Sequence, residues 1–224
     1  MKLRIIAALF VAFISINANA QNKLSVEEQA KYVKAITERA DKIVAALEIA
    51  DAKKAEAVRN TIRDQYSNLN DIYIVRDAKL KEIKDKNADN KVERDSAIAK
   101  QNRATESSLA KLHKKYIGKL ASNLNDSQVE KVKNGMTYNV LPITYKAYQE
   151  QILTLTEEQK KQILIWLTEA REYAIDAESS DKKHAWFGKY KGRINNYLSA
   201  AGYDLKKEGV EWEKRRKAAA EKTN

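Results

Sequence analysis

The segment His184-Ala185-Trp186-Phe187-Gly188-Lys189-Tyr190-Lys191-Gly192-Arg193-Ile194-Asn195-Asn196-Tyr197 gathers the residue types most able to do chemistry in this chain. At about 100° per residue, Trp186, Tyr190, Ile194, Tyr197 and Ala201 share one arc of a helix, with Phe187 and Leu198 beside it. Lys189, Arg193 and Asn196 fall together on one shoulder of that arc, at the edge of Trp186. An aromatic face bordered by a guanidinium and an amide is suited to a sugar. The ring covers the apolar C–H face of a pyranose, while planar donors engage its hydroxyls. The same stripe is also what an ordinary core face requires, so it defines a candidate. A second candidate is the loop Thr137-Tyr138-Asn139 with Tyr145 and Tyr148, because loops held by rigid helices often carry function. Tyr138 could add a polar contact to the first group.

Other chemistries lack their residues. There is no Cys, which removes disulfides and thiolate metal sites. The two His residues, His113 and His184, are far apart in sequence and lack a third partner, whereas a catalytic zinc needs three protein ligands. No Gly-rich phosphate loop, nucleophile elbow or metal-ligand spacing occurs. The carboxylates recur at i,i+4 from Lys or Arg, as on solvated helix faces. A glycosidase needs two carboxylates brought together in space rather than in sequence. The expectation is a non-catalytic protein with no cofactor and no metal.

The elements that must position these residues are helices. One Pro, six Gly and much Ala, Lys, Glu and Leu give an all-α expectation, with no alternating segment bounded by hairpin turns. Ser25 and Glu28 form a capping box, followed by the stripe Val26, Ala30, Val33, Ile36, Ala40, Ile43 and Leu47. Asp51 caps a second helix carrying Ala55, Val58, Ile62, Tyr66, Leu69 and Tyr73. A third carries Ile98, Thr105, Leu109, Leu112, Tyr116 and Leu120 beyond a polar break at 86–90. Residues 52–120 thus predict an antiparallel hairpin about 45–50 Å long, its charged tip near 86–90 projecting into solvent.

Beyond it, Asn125 or Asp126 starts a short helix that Gly135 is placed to end. Met136–Leu141 reads as irregular, and Pro142 suits the first turn of the next helix. Thr156 with Gln159 caps a helix bearing Ile163, Trp166, Leu167, Ala170, Tyr173, Ala174 and Ala177. The segment 178–181 recaps the chain for the aromatic helix, which Gly202 stops. Asp204 caps the last one, whose basic end at Lys214–Lys217 should fray. Gly188 and Gly192 inside the aromatic helix each weaken it by roughly 1 kcal/mol relative to Ala, and close approach of another backbone is the usual compensation.

The first twenty residues give an address. Lys2 and Arg4 precede an apolar run from Ile5 to Ile14, and Ala18-Asn19-Ala20 offers small residues to a signal peptidase. The run falls short of the roughly 20 residues that span a bilayer. Residues 1–20 therefore read as a cleaved signal. Residues 21–224 read as a single all-helical domain, exported to the periplasm or beyond, without a stable membrane anchor and without the Cys of a lipoprotein. Loss of Lys2 and Arg4 takes the formal charge from +11 to +9, so the product stays basic. Outside the cytosol nucleic acid is not the expected partner of such a charge; glycans or acidic chains are.

The runs Gly135-Met136-Thr137-Tyr138-Asn139-Val140-Leu141-Pro142, Thr144-Tyr145-Lys146-Ala147-Tyr148 and Leu155-Thr156-Glu157-Glu158-Gln159 form a recognisable set. Lys191-Gly192-Arg193-Ile194-Asn195-Asn196-Tyr197-Leu198, followed by Gly202-Tyr203-Asp204, completes it. Together they resemble the secreted Bacteroidetes family called domain of unknown function 3826, over nearly all the mature chain. That family is described as sugar-binding, so the resemblance implies an envelope protein with a glycan or oligosaccharide partner; it carries over no active site. Leu155-Thr156-x-x-Gln159 and Leu124-Asn125-x-x-Gln128 more loosely echo small periplasmic chaperones similar to Spy, although helix capping accounts for both motifs. The alternative is thus a chaperone or scaffold that offers a basic helical surface to acidic or unfolded polypeptides.

Overall fold

The computed structural model describes residues 25–221; the signal-like segment 1–20 lies outside them. Eight helices and no strand occur among the described residues: α1 (Val26–Ala45), α2 (Ala52–Lys86), α3 (Lys91–Ala121), α4 (Asp126–Met136), α5 (Val140–Gln151), α6 (Glu157–Ile175), α7 (Ser180–Ala200) and α8 (Leu205–Glu221). The protein is all-α. None of these helices is long and apolar enough to cross a membrane.

Side-chain caps set most of the helix starts. Ser25 with Glu28, Asn125 with Gln128 and Thr156 with Gln159 form reciprocal capping boxes. Asp51, Asn90 and Ser179 each accept from the backbone N–H three residues on, and Asp204 accepts from Lys206 and Lys207. These contacts satisfy amide groups that a first turn leaves unpaired.

The buried side chains form two clusters. One joins α1–α4 through residues such as Ile43, Ile62, Leu120 and Val132; the other joins α5, α6 and α7 through residues such as Ile152, Leu167, Phe187 and Ile194. Helix α6 ties them together, with Ala174 in the second cluster and Ile175 in the first.

The hairpin of α2 and α3 turns at Asn87–Asn90, and α2 alone spans about 50 Å. No residue between Leu69 and Thr105 is buried, and the hairpin beyond Arg76 lies outside both clusters. The α1 stripe is buried only from Ile36 onward: Val26 is 89 % exposed and Val33 42 %.

Four local expectations are corrected. Gly135 does not end α4, which continues to Met136; it sits inside the helix because a Cβ there would lie 2.9 Å from Ile43 Cγ1. The stop comes from Tyr138 and Asn139, both in the left-handed region at φ 59° and 56°. Between α4 and α5 only Thr137–Asn139 is non-helical, so the irregular stretch is half the expected length. Gly188 and Gly192 have no atom within 4 Å of a would-be Cβ, so no backbone approaches them. The basic end of α8 stays helical to Glu221, where Arg215 donates to the Glu150 and Gln151 carbonyl oxygens at 2.8 and 3.0 Å. Those are terminal carbonyls of α5, and a cation suits that end of a helix.

Candidate functional site: a cleft beside the aromatic helix pair

Lys183 fixes how α7 begins against α6. Its ammonium is buried and donates to the Ala174 and Ile175 carbonyl oxygens at 3.0 and 2.7 Å, in the last turn of α6. Burial pushes this lysine down to about 8, against the pull of Asp176. One turn later Trp186 lies flat against Tyr173 of α6, ring centroids 4.5 Å apart and planes 15° apart. Tyr173 is 49 % exposed, and the indole is half-buried.

These two rings stand at a cleft of about 620 Å³ between α6–α7 and the hairpin. Across it, Tyr73 of α2 donates its hydroxyl to the Asp176 carbonyl oxygen at 2.7 Å, and Arg76 lies over the Tyr73 ring while pairing with Glu178. These contacts dock the middle of α2 onto the α6–α7 turn.

Deep in the cleft His113 Nδ1 meets Asp176 Oδ2 at 2.6 Å, and the other Asp176 oxygen accepts from Gln65 at 3.3 Å. Gln65 is itself buried, so the carboxylate is held from both sides. His113 Nε2 lies 3.7 Å from Glu172. The hydrogen bond to Asp176 raises the imidazole above its ordinary value; burial opposes this, and the charges of Asp176 and Glu172 add to it. Burial works to raise Glu172 also, but hydrogen bonds from Lys133 and Arg171 outweigh it and hold the carboxyl below its usual range. Arg171, 2 % exposed, also engages Glu130 and Asn134, linking this wall of the cleft to α4. Among the described residues, Glu106 on α3 and Lys182 on α7 line the cleft without an ion-pair partner. Among the described residues no group of three His, Asp or Glu is disposed to hold a metal ion.

The aromatic-helix residues separate. Lys189 stays with Trp186, its ammonium 5.1 Å from the ring centroid. Arg193 does not border Trp186: its guanidinium covers Trp166 of α6 at 4.6 Å and pairs with Glu169 at 3.8 Å. Tyr190 is 6 % exposed and belongs to the second core, which corrects its expected role as a stacking platform. Burial, with Glu169 nearby, pushes its hydroxyl up to about 12. Asn196 is exposed. Tyr138 stacks on His184, centroids 5.4 Å apart, and does not line the cleft. Tyr148 is buried, donating to Asn195 at 2.7 Å.

Sequence reasoning missed Tyr173 as a partner of Trp186, weighed His113 only as a metal ligand, and did not single out Asp176 or Glu172. Tyr173 stood in the apolar stripe of α6 and could only be read as core. Glu172 and Asp176 do sit four apart on one helix, but His113 is 63 positions from Asp176 and nothing local connects them. The chain matches the family described as "Protein of unknown function (DUF3826)" over residues 33–218, and it belongs to that family. No curated protein matches it.

Proposed function

We propose that this protein is an exported, non-catalytic cell-envelope component that binds carbohydrate in the cleft between the hairpin and α6–α7. The observation that carries this reading is the Tyr173–Trp186 ring pair in a mostly apolar cleft that His113, Glu172 and Asp176 supply with a few polar groups. An apolar platform beside fixed donors and acceptors matches the two kinds of surface that a pyranose presents. The state of the interior favours binding over turnover. Glu172 is held ionised by two cations and so is not poised as a general acid, and the Asp176 oxygens are engaged by His113 and Gln65. Export is supported by the basic, apolar and small-residue order of residues 1–20. The chaperone alternative has less support, since the four most exposed large apolar side chains, Val26, Leu153, Val92 and Ile143, stand on separate segments.

A glycan array with the mature protein tests the reading. Binding in the millimolar-to-micromolar range is expected, lost in Trp186→Ala with the helical circular dichroism retained, and weakened in the rim variant Glu106→Gln. Array signals absent from the wild type, or unchanged in both variants, overturn it. Capture of unfolded clients that weakens steeply with salt would favour the chaperone alternative.

A further inference from the structure

The ring pair at the cleft is one end of a longer strip. On α6, Glu169 and Trp166 stand four and seven residues before Tyr173, hence on the same face. On α7, Tyr190, Arg193 and Tyr197 follow Trp186 by four, seven and eleven residues, again on one face. The two rows touch along their length. Tyr173 lies 6.5 Å from Tyr190; Arg193 reaches Glu169 at 3.8 Å and covers Trp166 at 4.6 Å; Tyr197 meets Trp166 edge-on at 5.2 Å. Tyr190 is buried midway, so the strip offers two platforms and a gap between them.

We infer that the ligand is a linear oligosaccharide laid along α6–α7, with Trp186–Tyr173 as one subsite and Trp166–Arg193 as a second. This rests on the carbohydrate reading and adds a site and a chain length to it. Trp166 lies seven residues from Tyr173, about 10 Å along the helix, a span of a few pyranose rings. The second platform repeats the chemistry of the first: a half-buried indole with a cation over its face, as Lys189 lies over Trp186. Arg193 and Glu169 are 56 % and 44 % exposed and only loosely paired, so the guanidinium can turn to a sugar hydroxyl at little cost while Glu169 stays beside the Tyr190 hydroxyl. The guanidinium supplies a planar fork of donors and the carboxylate supplies acceptors. A single sugar fills one platform; a chain reaches both, and the second contact then forms within one complex, at high effective concentration.

Calorimetry with dimers and hexamers of cello-, xylo-, chito- and malto-oligosaccharides decides it. In the series that binds, the hexamer should be about tenfold tighter than the dimer or more, as expected for a linked second contact. Trp166→Ala should abolish that gain and leave the dimer within twofold of wild type. Arg193→Ala, at an exposed position outside both buried clusters, should remove part of it, which guards against Trp166→Ala simply unfolding. Equal affinity for dimer and hexamer, or a length effect unchanged in both variants, overturns the second subsite while the first stands. If no series binds, the carbohydrate reading fails, and the inference with it.

Discussion

Replacing Lys183 by Met tests the joint that sets Trp186 beside Tyr173. The ammonium is 5 % exposed and caps the last turn of α6; Asp176 offsets part of its burial, and the charge of Arg39 adds to the cost. Its folded value is about 8, against an ordinary 10.5. Between those two values the unfolded chain keeps a proton that the folded lysine has released, so folding becomes more favourable as pH rises. At about 1.4 kcal/mol for each pH unit, the full effect is roughly 3 kcal/mol, of which about 2–3 kcal/mol should accrue between pH 7 and 10. Urea denaturation of the wild type and Lys183→Met at several pH values measures it. The wild type should gain on the variant by that amount across the window, since every other titration cancels in the difference. The partly buried Tyr66 and the buried Tyr148, pushed up to about 12, act oppositely only above pH 10, and equally in both proteins. Parallel stability curves for the two proteins would refute a buried, charged Lys183 and the helix joint built on it.

Two further outcomes follow from the packing. His113 should titrate above its ordinary value by NMR, and Asp176→Asn should bring it down. With the folded value raised, the stability this pair adds is fully present below about pH 6.5 and is lost as pH rises through the folded value. Among the glycines, Gly188→Ala and Gly192→Ala should each raise stability by about 0.5–1 kcal/mol without touching sugar binding, because both positions face open space on the far side of α7. Gly135→Ala should lower stability by about 1–2 kcal/mol, the clash with Ile43 outweighing the gain in helix propensity. Thermal melts of the three single variants suffice, and a common sign among them would contradict the packing.

The helices and their starts were legible because their causes are local. Ser25–Glu28, Asp51, Asn125–Gln128 and Thr156–Gln159 act within three residues, and the apolar stripes repeat within one or two turns. The α2–α3 hairpin and its bare outer half followed from the thinning of apolar residues after Arg76. The one stop assigned to the wrong residue, Gly135, turned on a contact with Ile43 that no local rule contains.

The candidate site divides along the same line. Sequence alone determined that Trp186, Lys189 and Arg193 would share one side of a helix, because a fixed rotation per residue dictates it. Which rings and cations would meet was decided by tertiary structure. The placement of α6 against α7 gave Trp186 to Tyr173 and Arg193 to Trp166, and buried Tyr190 between them. The docking of the hairpin brought His113 to Asp176. Helical periodicity fixes angles about one axis; the rotation and distance between axes come from how whole faces pack, and on those the cleft depends.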